Sequence, residues 1–176
     1  MDYPNKIIEE LLPTFALVIG KDYCRYKNHI YRVFLNCLLM DDDKMNEEKY
    51  AIAAVFHDIG IWTGSTFDYL SPSGEQAGNY LLQKGKRCLT GEITAMIYWH
   101  HKISQYHGEH EKTVETFRKA DWIDVTFGLI HFGVDIQKTK EAGKAFPTLG
   151  FHRFLVRAAL KNFLGHPLKP LPMFKR

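Results

Sequence analysis

Cysteine is scarce in this chain. Cys24, Cys37 and Cys88 are odd in number and widely spaced, so they build neither a disulfide framework nor a Cys-type metal motif. That usage fits a reducing, cytoplasmic setting. Long apolar runs are lacking too: the longest uncharged stretches, such as Leu11 to Gly20, fall well short of the ~20 residues that cross a bilayer, so no membrane segment is expected. Asp2, Lys6, Glu9 and Glu10 precede or interrupt the first apolar run, which is the wrong layout for a secretory leader. Neither sign of charge dominates. The formal net charge of +3 comes without a clustered basic stripe, so no nucleic-acid polymer is indicated as a partner. Alternation of period two is absent, as are internal repeats and low-complexity tracts, and a β architecture is excluded on that ground.

What is present is helical periodicity. The chain of 176 residues, 45% hydrophobic and 24% charged, reads as one all-α domain over 1–176, a helical bundle of about six to eight helices. Ile7, Ile8, Leu11, Leu12, Phe15 and Val18 stripe a first helix over 5–19, which Pro13 should kink or divide. A second helix spans 22–40. The Asp41-Asp42-Asp43 run reads as a solvated turn, after which Asn46 caps a third helix that runs to His57-Asp58 and stops at Gly60. Residues 61–70 read as a loop carrying Trp62, Phe67 and Tyr69, either as a pocket wall or as a satellite of the core. Ser71 or Ser73 with Pro72 opens a fourth helix, which Gly85 closes. Thr90 opens a fifth that reaches His100 and His101. A sixth carries Val114, Phe117, Asp121 and Val125, a short helix fits 134–145, and a last one runs from about Thr148 or Gly150 to Leu164. Pro167, Pro170 and Pro172 make 166–176 an extended tail. An aromatic content of 14% leaves room for a homodimer interface.

The residues with chemistry fall on apolar helix faces. His29 shares one side of its helix with Arg25, Arg32 and Val33, because positions four apart lie within about 40°. Asp121 has Phe117 four before it and Val125 four after it, which turns it inward. A buried carboxylate needs a cation, several donors or a metal. Taken singly, each feature has a plain structural explanation. His29 fits a hydrogen-bonded core histidine, Asp121 a partner of Arg118 or another arginine, and His57-Asp58 a helix C-terminus. Taken together, His29, His57, Asp58 and Asp121 on inward faces of three helices point to one divalent metal ion, and the nitrogen and oxygen ligands leave manganese, iron, cobalt, nickel, magnesium and zinc equally open.

The order His29, His57-Asp58, Asp121, set in Lys27-Asn28-His29, Phe56-His57-Asp58-Ile59-Gly60 and Ala120-Asp121, resembles the HD-domain superfamily of metal-dependent phosphohydrolases. The resemblance covers roughly Lys27 to Val125. It implies an HD-type bundle in which those four side chains hold the metal. The chain departs from some subfamilies of that pattern. Ile59-Gly60-Ile61-Trp62 supplies no catalytic Lys or Glu after the His-Asp pair. No histidine occurs from Ile59 to Trp99, where two-metal members place one, while His100-His101 resembles the later position. One ion is therefore expected, and a second only with an incomplete ligand set.

On this reading the function is release of phosphate from a small phosphorylated metabolite, a nucleotide or related monoester, by a metal-activated water. Asp58 or Asp121 would orient that water and take its proton. Arg25, Arg32, Lys102, His100 and His101 are the candidates for substrate contact, since guanidinium forks match phosphate oxygens. Asp124, one turn from Asp121, is placed to hold a ligand histidine in its tautomer. Glu75 is a spare carboxylate, His107 and His110 fit solvated positions, and His131, His152 and His166 are given no role. Two other classes stay open: an HD-fold di-iron oxygenase, and a non-catalytic module that binds a nucleotide or metal.

Overall fold

In the computed structural model residues 4–64 and 69–157 are described. They form helices α1 (Lys6–Leu11), α2 (Ala16–Ile19), α3 (Tyr23–Met40), α4 (Lys44–Phe56), α5 (Gly60–Thr63), α6 (Leu70–Gln83), α7 (Thr90–Trp99), α8 (Glu111–Val125) and α9 (Ile136–Ala145). Residues 151–157 are helical as well, and no strand occurs among the described residues. The all-α expectation holds. Among the described residues no helix is long and apolar enough to cross a membrane. The remainder of the last helix, Gly165 and the proline-rich tail lie outside the described residues.

The first helix is divided where Pro13 predicts. Its ring sits early in a 3-10 turn, Leu12–Phe15, where its missing N–H leaves no intrahelical bond unmade. Asn5 caps α1 by accepting the amides of Ile7 at 3.0 Å and Ile8 at 3.2 Å.

Two boundary expectations are corrected. Asp43, not Asn46, caps α4, accepting the Met45 amide at 2.9 Å. Asn46 lies inside the helix and donates Nδ2 to Asp41 Oδ2 at 2.8 Å. Nor is the acidic run wholly solvated. Asp41 is buried and also accepts from Tyr50 Oη at 2.6 Å and pairs with Lys112 at 2.6 Å. Tertiary partners on α4 and α8 draw it in, leaving Asp43 for the cap. Gly60 does not stop a helix either. It opens the single turn α5, so 61–70 is not all loop, and its amide donates to Ser73 Oγ at 2.9 Å. A Cβ there would fall 2.3 Å from the Tyr69 carbonyl oxygen. Close backbone approach, not helix termination, explains the glycine.

Helix α3 packs most extensively on α8, and also on α4 and α9; α7 packs on α4, α6 and α8. Helix α4 is buried all round from Tyr50 to Phe56, and its alanines let neighbouring helices approach closely. Ile30, Val33 and Phe34 of α3, Ile93, Met96 and Ile97 of α7, and Val114 and Phe117 of α8 fill the core. Each contributes about 1.5–3 kcal/mol by leaving water. This packing fixes three helices, α3, α4 and α8, whose inner faces carry the polar residues described next.

Candidate metal centre

His29 from α3, His57 and Asp58 just past the end of α4, and Asp121 from α8 converge in the core. All four are 2% exposed or less. His29 Nε2 lies 2.9 Å from His57 Nε2, 3.6 Å from Asp58 Oδ2 and 3.5 Å from Asp121 Oδ1. His57 Nε2 lies 3.5 Å from Asp58 Oδ2 and 3.9 Å from Asp121 Oδ1. Because α4 ends at Phe56, the adjacent His57 and Asp58 can both address one point.

His100 and His101 join the same cluster. His100 Nε2 is 3.5 Å from Asp58 Oδ1, and His101 Nδ1 is 3.6 Å from Asp121 Oδ2. Helix α7 ends at Trp99, which lets both rings turn inward, much as the end of α4 does for His57 and Asp58. Two groups of potential ligands result. His29, His57 and Asp58 offer atoms within 4.8 Å of one another, as do Asp58, His100 and His101, so Asp58 belongs to both. The earlier histidine remains absent, and the two adjacent rings with Asp58 make a second group of three.

The ring nitrogens turned away from the cluster are held. His57 Nδ1–H donates to the Ala54 carbonyl at 2.7 Å and His100 Nδ1–H to the Ile97 carbonyl at 2.6 Å, which leaves each Nε2 lone pair facing the centre. His29 Nδ1–H donates to Asp124 Oδ2 at 2.6 Å. Asp124 in turn accepts Arg32 Nε at 2.5 Å and Nη2 at 2.9 Å, while Arg32 Nη1 donates to the Phe146 carbonyl at 2.8 Å. This corrects the substrate role expected for Arg32. Its fork is spent on a buried carboxylate behind His29 and is 4% exposed.

Arg25 is engaged away from the cluster: it pairs with Asp22 at 3.4 Å and lies over the Phe154 ring. Lys102 follows His101, and its backbone carbonyl accepts from Arg118 Nη1 and Trp122 Nε1. Burial lowers its ammonium below the usual lysine range. Arg118 forks onto Glu115 at 2.6 and 2.8 Å, so it is not the partner of Asp121.

Aromatic residues enclose the centre, and of them sequence reasoning offered only Tyr69, as part of a pocket wall or a satellite of the core. Tyr26, three before His29, donates its hydroxyl to the Val55 carbonyl at 2.8 Å and accepts the Asp58 amide at 3.3 Å. Phe151 stacks on His29 with centroids 4.2 Å apart. The Tyr69 hydroxyl is hydrogen-bonded to His101 Nε2. His152, for which no role was expected, donates Nε2–H to the Asp124 backbone carbonyl at 2.9 Å. Tyr26 also had a readable signal, its place on the His29 face; Phe151 and His152 had none.

The electrostatics call for a cation. Asp58, Asp121 and Asp124 against Arg32 leave two negative charges in a dry site, and Asp58 Oδ1, both Asp121 oxygens and His100 Nε2 have no hydrogen-bond partner. Such orphaned atoms are costly without a ligand. Without an ion, protons take the strain. Burial, reinforced by Asp58 and Asp124, pushes Asp121 up to about 6 against the lowering pull of His100 and His29. Burial depresses His29 more than any single partner raises it, but Asp124, Asp58 and Asp121 together outweigh it and raise the imidazole to about 9. His57, dominated by burial, drops to about 3 and stays neutral. The donor set of imidazole nitrogens and carboxylate oxygens fits a first-row divalent ion or magnesium. No family model, curated protein or solved structure matches this chain.

Proposed function

We propose that this protein is a metal-dependent phosphohydrolase acting on a small phosphorylated metabolite, such as a nucleotide or related monoester. The observation that carries the reading is Asp58: one carboxylate common to two ligand groups that also include His29, His57, His100 and His101. An ion held by His29, His57 and Asp58, with or without a second at Asp58, His100 and His101, would lower the pKa of a bound water and polarise a phosphoryl oxygen.

The remaining roles belong to the chain. Asp124 and Arg32 hold His29 in the tautomer that presents Nε2. Asp121, whose two oxygens have no other hydrogen-bond partner, is the group placed to take a proton from an attacking water. Lys102 and the His101 edge, 15% exposed, mark the side on which an anionic substrate approaches. Tyr69 lines that side through its bond to His101.

Phosphate release from a panel of phosphomonoesters, with manganese, cobalt, nickel, iron or magnesium added, tests the proposal. Turnover is expected with at least one metal and at least about a hundredfold less in His57→Ala and Asp58→Ala, an effect typical of losing a metal ligand's chemistry. Absence of turnover with every metal rejects the reading. The six-residue set of four histidines and two aspartates also favours a second reading, a di-iron oxygenase. Purified protein carrying close to two irons and consuming O₂ only with substrate would select it.

A further inference from the structure

A second concave site lies apart from the metal centre. Lys21, Asp22 and Arg25, together with Ile61, face Leu149, Gly150, Arg153, Phe154 and Arg157 across a groove of about 570 Å³. Four cations and one carboxylate line it. The carboxylate is already engaged: Asp22 accepts Trp62 Nε1 at 3.2 Å and pairs with Arg25 at 3.4 Å. Lys21, Arg153 and Arg157 are exposed and form no ion pair with a described carboxylate. The sequence offers little nearby to neutralise them. From Ala142 to Arg176 there are seven Lys or Arg residues and no Asp or Glu.

The floor of the groove is built, not incidental. Phe154 stacks on Trp62 with planes 7° apart, Trp62 packs on Tyr26, and the Arg25 guanidinium lies over the Phe154 ring. This aromatic layer orients two of the lining segments against each other and separates the groove from His29, which is covered by Phe151. Like charges gathered on a concave, partly apolar wall repel one another and focus a positive field. A pocket of this volume matches a small molecule. Three cations without an ion-pair partner among the described residues, two of them guanidiniums, match an anion that carries several charges on clustered oxygens.

We propose that this groove binds the oligophosphate group of a small molecule, with Arg153 and Arg157 as its principal contacts and Lys21 and Arg25 opposite them. The proposal is independent of the chemistry at the metal centre.

Tripolyphosphate titrated into metal-free, full-length protein, followed by calorimetry and by tryptophan fluorescence through Trp62, tests it. Saturable binding at one site is expected. Arg153→Ala/Arg157→Ala should weaken it by about a hundredfold, roughly tenfold for each charge-assisted contact. Both residues are exposed, so the variant should keep its melting temperature. Asp58→Ala should leave the affinity unchanged, and so should Lys138→Ala/Lys140→Ala on α9. Four outcomes overturn the proposal: no saturable binding, loss of binding in Asp58→Ala, equal loss in the α9 variant, or displacement by single-stranded oligonucleotides with affinity that climbs with their length. If ligand bound in the groove is also turned over at the centre, the double variant raises KM and leaves kcat unchanged. A separate ligand leaves both unchanged. Either result retains the groove as the site.

Discussion

Asp124 stands directly behind His29, its Oδ2 2.6 Å from Nδ1, and its other oxygen is taken by Arg32. The pair sets the direction of the imidazole before any ion arrives. Asp124→Asn should therefore lower divalent-metal affinity by about 10–100-fold while leaving all the direct ligands in place. It should also leave Arg32 buried without its counter-charge, a loss of about 3–5 kcal/mol. Metal titration of the folded fraction, with urea unfolding alongside, separates the two effects. Unchanged affinity would remove Asp124 from the centre.

Metal uptake should depend on pH in a defined way. With its imidazole raised to about 9, metal-free His29 carries a proton at neutral pH, and an incoming ion must displace it. Apparent affinity should thus rise about tenfold per unit from pH 6 to 9, with one proton released per ion. Below about 6, where Asp121 is also protonated, the slope should steepen. The stability consequence has a matching sign. The His29 contribution in metal-free protein is full below its ordinary value of 6.5 and is lost as pH rises through about 9. Calorimetry in buffers of different ionisation enthalpy counts the protons.

Gly60 and Gly143 should respond oppositely to alanine. A methyl at Gly60 meets the Tyr69 carbonyl at 2.3 Å and Ser73 Oγ at 2.9 Å, so Gly60→Ala must push α5 and α6 apart. We expect a loss of about 1–3 kcal/mol and weaker metal binding, since Asp58 is only two residues away. Gly143, inside α9 with nothing near its missing Cβ, should gain about 0.5–1 kcal/mol as alanine. Thermal melts of both variants decide it.

Acid should reach Asp41 late. Its burial would raise the carboxyl, but Lys112, Tyr50 and Asn46 overcome that and hold it down to about 2. A depressed carboxyl contributes stability that is complete above its ordinary value of 3.8 and is lost as pH falls through about 2. Asp41→Asn should flatten the pH dependence of unfolding between those values. An unaltered slope there would show that other carboxylates carry it.

The sequence made the helices and the inward turn of His29 and Asp121 legible because spacings of three and four residues report one buried face. His57-Asp58 was legible as a pair but not as a shared corner, which depends on where α4 ends. The same holds for His100 and His101, adjacent residues that meet one centre only because α7 stops at Trp99. Arg32 was read as a free fork, since nothing local shows that Asp124, far along the chain, will claim it. Phe151 and His152 come from distant segments, and no periodicity announces ring contacts between such segments. Asn46 illustrates a closer contest: three aspartates compete for one cap, and Tyr50 with Lys112 decides which of them is buried.

His29, His57 and His100 have no exposed surface, and Asp121 has only 1%. An ion lodged among them exchanges only when the surrounding helices breathe, so its lifetime is set by the frequency of that opening and not by the strength of a competing chelator. Raising chelator concentration should soon cease to speed its removal. Metals should likewise load slowly into the folded protein, at a rate that warming or mild denaturant raises by opening the helices more often.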